Sequence, residues 1–242
     1  MAAQGTERPD GWYLNVLPTF RVGRGAAELR LPTGPAALLV AVALEADGVG
    51  RRSLQRRLWP GQPPEAAARR LRQFLWRVRR ETGGGLLDVT ADKVALAPGV
   101  SVDLHAGTEL ARRVIAGEWP APADAAVLSA RLLEDGPDDP AVLTARERWD
   151  RRRLLALERL AEHRLERGDP LGALDLAGAA AEIDEFAEAP QRIMAAAHLA
   201  RNDGASARRL YHRYRRRVTH ELSVEPSPAF RDLFREHSVG RR

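Results

Sequence analysis

The chain of 242 residues contains no cysteine and only one lysine, Lys93. The lack of cysteine excludes disulfides, thiolate zinc sites and a cysteine nucleophile, and it fits a reducing cytosol. The N-terminal residues show no secretory signal pattern, and the longest apolar run, residues 36–44, is too short to span a bilayer. We therefore expect a soluble cytoplasmic protein, associated with the nucleoid and without a membrane partner.

Charge is unevenly distributed along the chain. The composition, 44% hydrophobic and 29% charged, supports a packed core. Residues 1–104 hold 15 Lys and Arg against 10 Asp and Glu, whereas the remainder holds 23 of each kind. The whole net charge of +5 therefore lies in the first part. A basic block in an otherwise neutral chain predicts a polyanionic partner for that part.

The most basic segment, residues 69–80, has the periodicity of an amphipathic helix. Its apolar residues recur at i, i+3, i+4 and i+7, and they are Leu71, Phe74, Leu75 and Val78. At about 100° per residue, the opposite face consists of Arg69, Gln73, Trp76 and Arg80, with Arg70 and Arg77 on its flank. Arginine reads guanine and glutamine reads adenine through paired hydrogen bonds, so this helix suits a DNA groove.

The elements around this helix predict a winged helix-turn-helix domain over residues 1–104. Alternating apolar residues and turn residues within 12–31 predict two or three short strands. Helices are expected at 36–46, 53–58 and 64–82, with Ser53 as the N-cap of the second and Gly83 just past the end of the third. A hairpin of strands 86–89 and 94–96, with Lys93 at its tip, forms the wing. In this fold the third helix enters the major groove.

Residues 105–242 are predicted to be helical and to repeat every 34 residues, the period of tetratricopeptide repeats (TPR). Leu160 and Ala161 recur as Met194 and Ala195, and breaks at 168–170 and 202–204 separate paired helices. Because two repeats are few for stability, we expect further helices at 104–116, 125–133 and 143–153, and a hinge at 117–123. The predicted fold class is mainly α with a small β part: a winged helix followed by a TPR-like helical domain.

Two segments resemble a known family of regulators. Residues 58–64, Leu-Trp-Pro-Gly-Gln-Pro-Pro, and the helix after them resemble the loop and recognition helix of an OmpR-type winged helix. The tail from Tyr211 to Pro228 resembles the end of a bacterial transcriptional activator domain, and Glu221-Leu222 with residues 224–228 is its most specific part. This pairing is similar to the Streptomyces antibiotic regulatory protein (SARP) family of actinobacterial transcriptional activators.

The resemblance implies a homodimer that binds direct repeats of double-stranded DNA beside a promoter. It also implies recruitment of the RNA polymerase holoenzyme, commonly for secondary-metabolite gene clusters. The implied base-reading residues are Arg69, Arg70, Gln73 and Arg77. The implied phosphate contacts are Arg51, Arg52, Arg80 and Lys93. The implied polymerase contacts, in the loop before the recognition helix, are Trp59, Gly61 and Gln62.

Three positions depart from the family pattern. The wing has Asp92-Lys93-Val94 where family members carry a Gly-Tyr pair. Ala106-Gly107 follows Asp103-Leu104-His105 where the family has an aromatic residue. Trp76 stands at an outward position where a small polar residue is usual, and it either stacks on a sugar or thymine methyl group or packs against a neighbouring protomer.

No sequence pattern indicates catalysis or a bound cofactor. The six histidines have no metal-ligand spacing, Gly23-Arg24-Gly25 reads as a turn, and Gly83-Gly84-Gly85 reads as a helix stop. We therefore expect no enzyme activity, no metal and no cofactor. The alternative to a DNA-binding activator is a TPR-type protein-interaction adaptor whose winged helix no longer reads DNA; an enzyme with an unrecognised site is a distant third.

Overall fold

The computed structural model describes residues 11–136 and 139–239. The chain forms two compact units. The first unit comprises Met1–Glu109 and Ala130–Trp149, and the second comprises Leu110–Ser129 and Asp150–Arg242. The expected domain boundary between residues 104 and 105 stays a prediction.

The described residues are mainly helical, and the predicted fold class is confirmed. The strands are β1 (Trp12–Asn15), β2 (Arg21–Arg24), β3 (Ala27–Glu28), β4 (Val49–Gly50), β5 (Leu87–Val89), β6 (Lys93–Leu96) and β7 (Ser101–Val102). The helices are α1 (Thr33–Ala43), α2 (Arg51–Leu58), α3 (Pro64–Thr82), α4 (Asp103–Ile115), α5 (Pro122–Ala125), α6 (Pro140–Glu166), α7 (Pro170–Ile183), α8 (Glu188–Ala200), α9 (Gly204–Leu222) and α10 (Pro228–Val239). Within the described ranges, no helix is both long and apolar enough to cross a membrane.

Four strands form the first sheet of the first unit, in the order β3-β2-β1-β7. β1 pairs antiparallel with β2 and parallel with β7, and this confirms the short strands expected within residues 12–31. The turn expected at Gly23-Arg24-Gly25 is partly wrong, because Gly23 and Arg24 lie in β2 and the turn is made at Gly25, with φ of 54°. A β-carbon on Gly23 would lie 2.3 Å from the carbonyl oxygen of Ala27, so the strand pair needs glycine there.

The Asp103-Leu104-His105 sequence ties this sheet to the helices of the first unit. The Asp103 carboxylate accepts hydrogen bonds from the amides of Val16 at 2.9 Å and Leu17 at 3.0 Å. Burial raises the pKa of this carboxyl, although these backbone hydrogen bonds act in the opposite direction. His105 Nε2 lies 2.8 Å from the carbonyl oxygen of Ala43, at the end of α1. Asp103 and His105 therefore connect the start of α4 to the end of β1 and to the end of α1.

The three helices expected in the winged helix are present, and the first two differ from the prediction at their ends. α1 begins at Thr33 rather than at residue 36. α2 begins at Arg51, so Ser53 lies inside the helix and its predicted N-cap role is wrong. The ends of α3 are as predicted: a proline fits its first turn, and Gly83, with φ of 60°, ends it in the left-handed conformation.

A second sheet, in the order β4-β6-β5, packs against these helices. β5 and β6 are the predicted hairpin, and their register pairs Val89 with Val94. Val94 is fully buried in one cluster with Leu38 of α1, Leu54 of α2 and Leu71 of α3. One apolar core therefore fixes the wing and the arginine-rich helix in a single unit.

The segment between residues 119 and 142 differs from the prediction. The helix expected at 125–133 is wrong: α5 is short and the 3-10 turn after it ends at Ser129. Beyond that point the Leu133 amide donates to the Val16 carbonyl at 2.9 Å, and the Glu134 amide donates to the Pro18 carbonyl at 2.8 Å. Hydrogen bonds to a segment more than a hundred residues away replace the helical ones, and no local pattern encodes them.

α6 is a single helix of 27 residues. It includes the helix expected at 143–153 and continues without a break into the first predicted repeat. The residues between Arg153 and Leu160 are leucine, alanine, glutamate and arginine, which are strong helix formers, so nothing in this stretch stops the helix.

The 34-residue repeat predicted for the second unit is confirmed by its helix ends. α7 begins after Asp169, whose carboxylate accepts from the Gly172 amide at 2.9 Å. α9 begins after Asp203, whose carboxylate accepts from the Ser206 amide at 3.0 Å. α7 packs on α8 and α8 packs on α9. Tyr214, which corresponds to Ala180 of the preceding repeat, is buried, and its hydroxyl donates to the Phe186 carbonyl at 2.9 Å.

Replacing Asp169 with alanine is expected to lower the free energy of unfolding by about 1 kcal/mol, because the first amides of α7 lose their cap. For a chain of this length, that corresponds to a fall in Tm of about 2–4 °C in a thermal scan followed by circular dichroism. Asp169→Asn is the control, since it keeps a capping oxygen while removing the charge that faces Arg164 at 3.3 Å. If both variants lose the same stability, the ion pair rather than the cap stabilises this helix end.

Candidate nucleic-acid interface

One face of helix α3 is buried against the core, and the opposite face is exposed to solvent. Leu71 and Val78 are fully buried and Leu75 is 9% exposed, as the spacing predicted. Phe74 is partly buried and packs against the same core cluster. Since four positions over two turns hold the helix on its core, the direction of its outer side chains is set by the fold.

The predicted outer face of α3 is exposed. It consists of Arg69, Arg70, Gln73, Trp76, Arg77 and Arg80. Across the described part of the chain, none of its arginines forms a salt bridge with a carboxylate. Glu65 and Glu81 are the acidic residues of the helix, one near each end. The middle of the helix therefore presents uncompensated positive charge and side-chain donors to solvent.

Trp76 lies on this face with its side chain 60% exposed. The guanidinium carbon of Arg80 lies 5.4 Å from the centre of its ring, within the range of a cation–π contact. A large aromatic side chain left in water beside arginines indicates a contact surface rather than a core position. Both interpretations of Trp76, stacking on DNA and packing against a second protomer, are compatible with this placement.

A groove of about 480 Å³ separates α3 from the wing. Trp76 lines it together with Arg72 and Arg79 from α3, and Asp88 and Val89 line it from β5. Sequence reasoning did not single out Arg72, Arg79 or Val89. A helical wheel puts the two arginines at the edge of the apolar face, but only the packing of the hairpin places that edge opposite a β-strand.

The wing is held to the start of α2 by Arg51. Its amide donates to the Asp92 carbonyl at 2.8 Å, and its guanidinium donates to the Thr90 carbonyl at 3.2 Å. Arg51 is half-buried as a result, whereas the neighbouring Arg52 is exposed. Lys93 is exposed as well, but it is the first residue of β6 and closes the tip turn, with its amide donating to Thr90 Oγ1 at 3.1 Å. The side chains that stay free for an anion here are Arg52 and Lys93.

The loop between α2 and α3 contains the three predicted polymerase contacts. Gly61 and Gln62 are exposed, and Gly61 has φ of 78°, in the left-handed region. Trp59 is half-buried, with its ring centre 5.3 Å from that of Phe74 on α3. The tryptophan therefore anchors the loop on the core, and the outer part of the loop is presented to solvent.

The histidines do not come together in the structure as far as it is described. His163 stacks on Trp119 with ring centres 3.9 Å apart, and His220 lies 2.9 Å from Glu221. Among the side chains described within residues 11–136 and 139–235, no three His, Asp or Glu are grouped as they would be around a metal ion. The expected absence of metals and cofactors stays a prediction.

These features define a class of protein: a winged helix with a basic, outward-facing third helix, followed along the chain by a TPR-like helical unit. Residues 106–236, more than half of the chain, match the family described as "Bacterial transcriptional activator domain". The chain belongs to this family, and it is a transcriptional regulator of the SARP type, as the sequence predicted. The family is a class of transcriptional regulators, not of enzymes.

A solved structure with a similar fold is Mycobacterium tuberculosis EmbR in complex with low affinity phosphopeptide. The TM-score is 0.75 at 18% sequence identity, and the similarity covers 96% of this chain and 66% of the EmbR chain. This chain thus spans just under two thirds of the length of EmbR, and the similarity supports the fold. A comparison with curated protein sequences found no match.

Proposed function

We propose that this protein is a sequence-specific DNA-binding transcriptional activator. It binds direct repeats near a promoter as a homodimer and recruits the RNA polymerase holoenzyme, for genes of a secondary-metabolite cluster. The observation that carries this proposal is the outer face of α3, where arginines and Gln73 are exposed and their positions are set by a buried opposite face. Its site of action is the nucleoid in the cytoplasm.

The chemistry of the α3 face suits base reading in the major groove. The groove admits an α-helix, guanine offers two acceptors to an arginine fork, and adenine offers an acceptor and a donor to Gln73. Arg69, Gln73 and Arg77 are spaced four residues apart, so they rise in a row over about two turns of helix. Because no carboxylate of the described residues pairs with these arginines, they do not have to break a salt bridge before they bind DNA.

The wing and the start of α2 suit the DNA backbone. Arg52 and Lys93 are exposed at the same end of the β4–β6 pairing, where Gly50 pairs with Lys93. Cations at such positions hold the register of a protein on the duplex without reading sequence. The exposed loop residues Gly61 and Gln62, positioned by the anchored Trp59, are the proposed polymerase contacts.

The proposal is tested by a fluorescence-anisotropy titration of the purified full chain. The operator is first selected from a randomised DNA library and then measured at several salt concentrations against a scrambled competitor. About six phosphate contacts from the first unit should by themselves contribute roughly −5 to the slope of log K against log salt. Nanomolar, competitor-resistant binding is expected. Weak binding that the scrambled DNA abolishes would instead favour the protein-interaction adaptor.

Lys93→Ala is expected to weaken binding to all DNA sequences alike and to reduce the steepness of the salt dependence by about one unit, since one phosphate contact is lost. The same anisotropy titration on the operator and on its single-base variants measures this. Thr90→Ala is a suitable companion at the same turn, because it changes the wing tip without changing charge. A loss for Lys93→Ala that depends on the base sequence would contradict a phosphate role.

A further inference from the structure

Helix α9 of the second unit is strongly basic, although the residues after Leu104 contain equal numbers of basic and acidic side chains. Residues 204–222 hold six arginines and a single acidic residue, Glu221. The neutral total therefore conceals an uneven distribution of charge: α6 holds seven arginines beside five acidic residues, whereas α9 holds six beside one. A local concentration of this kind attracts polyanions whatever the net charge of the chain.

Three of the six arginines contact residues outside α9, and a fourth, Arg209, donates to Ser206 Oγ within the helix at 2.8 Å. Arg215 donates to both carboxylate oxygens of Glu225, at 2.7 and 3.1 Å, and this contact lowers the pKa of Glu225. Arg217 lies 3.1 Å from a carboxylate oxygen of Glu185. Arg208 places its guanidinium carbon 5.6 Å from the ring centre of Phe234. These arginines therefore stabilise the packing of α9 against the segments around it.

The other three, Arg209, Arg213 and Arg216, are exposed and form no salt bridge in the described part of the chain. Their spacing of i, i+4 and i+7 aligns them on one stripe of the helix. At about 100° per residue, this stripe lies opposite the buried face of the helix. The buried face consists of Ala207, Leu210, Tyr214 and Val218. We call Arg209, Arg213 and Arg216 the α9 arginine row.

The length of the α9 arginine row suits a nucleic-acid strand. Seven residues of helix span about 10.5 Å. One strand of DNA carries a phosphate about every 3.4 Å along the axis, so the row extends over about three phosphates. The guanidinium fork matches the geometry of phosphate oxygens and can bind them in pairs.

The composition of this face favours DNA over an acidic protein. Its other side chains are His212 and His220, both exposed, and no large apolar side chain lies between the arginines. Protein interfaces are usually anchored by buried aromatic or aliphatic side chains, whereas phosphate contacts need only donors and charge.

We propose that the α9 arginine row is a second DNA contact, which binds the phosphate backbone without reading sequence. This inference rests on the proposed function, since it assumes that the chain binds DNA. If so, the helical unit contributes directly to the affinity for DNA. The winged helix supplies the sequence discrimination, and the row adds length and charge to the contact.

The test is a triple variant, Arg209→Gln with Arg213→Gln and Arg216→Gln, in the full chain. Its control, Arg151→Gln with Arg152→Gln and Arg201→Gln, removes the same charge from exposed arginines elsewhere in the second unit. Both are titrated against the selected operator and scrambled DNA over a salt series, and circular dichroism verifies that both are folded. Loss of three phosphate contacts should reduce the salt slope by about 2–3 units and weaken binding on the order of 100-fold at 0.15 M salt. The ratio of operator to scrambled affinity should not change.

The outcomes separate this inference from the function on which it rests. If the wild type binds the operator with a steep salt slope and the triple variant binds equally well, the inference is overturned and the proposed function stands. Equal losses in the triple variant and its control would also overturn it, because general attraction rather than contact would then explain the effect. Unchanged DNA binding with lost transcription in vitro would reassign the row to an acidic protein surface. A wild type without salt-dependent binding would reject both proposals.

Discussion

Leu71→Ala is expected to lower the free energy of unfolding of the first unit by about 2–5 kcal/mol. Leu71 is completely buried in the cluster where α1, α2, α3 and β6 meet, so truncation leaves a cavity that four elements would have to close. Because α3 and the wing share this core, the same change should loosen both parts of the candidate interface. Urea unfolding followed by circular dichroism gives the magnitude, and hydrogen exchange of the α3 amides locates the change.

Arg72→Ala is the matched control for Leu71→Ala. It removes a large side chain from the adjacent position of the same helix, but Arg72 is exposed, and a surface substitution of this kind should change stability by no more than about 0.5 kcal/mol. Equal stabilities of the two variants would mean that α3 is not held by its apolar face. In that case its outer side chains would have no fixed direction.

Arg77→Ala is expected to relax discrimination at one base position of the operator by about 1–3 kcal/mol, which is the value of a bidentate contact with guanine. Arg77 is exposed, unpaired among the described residues, and one turn from Gln73 on the flank of the outer face. The measurement is a set of anisotropy titrations in which each base pair of the operator is replaced in turn. One position should lose its preference while the others keep theirs.

The comparison of Arg77→Ala with Lys93→Ala separates base contacts from backbone contacts. The two substitutions remove the same charge, so both should reduce affinity, but only Arg77→Ala should change the ranking of operator variants. A uniform loss for Arg77→Ala would make this residue a phosphate contact and move base reading towards Arg69, Arg70 and Gln73.

The two interpretations of Trp76, stacking on DNA and packing against a second protomer, can be distinguished by the solvent exposure of its side chain. A tryptophan that stacks on DNA loses solvent exposure only when DNA is added, whereas one that packs against a second protomer loses exposure as protein concentration rises. Its large exposed fraction makes it a good reporter for either event.

Several features follow from local periodicity and could be predicted from the order of the residues alone. The apolar spacing of Leu71, Leu75 and Val78 defined the two faces of α3, because a helix repeats about every 3.6 residues. Two short apolar segments on either side of turn residues 90–93 predicted the wing. The recurrence of Asp169 as Asp203 identified the repeat, because an aspartate that accepts from an amide three residues on starts a helix wherever it stands.

Other features depend on contacts between residues far apart in the chain, and they become visible only in the three-dimensional packing. Residues 130–136 leave the helical conformation because the Leu133 amide reaches the Val16 carbonyl, a partner that no sequence window contains. The groove beside Trp76 exists because the wing packs along α3. The arginines of α9 look alike in the sequence, and they differ in role because Glu225 and Glu185 lie beside Arg215 and Arg217, while Arg209, Arg213 and Arg216 face solvent. Such ion pairs depend on which helices pack together, and that packing is determined by the whole core rather than by any local sequence pattern.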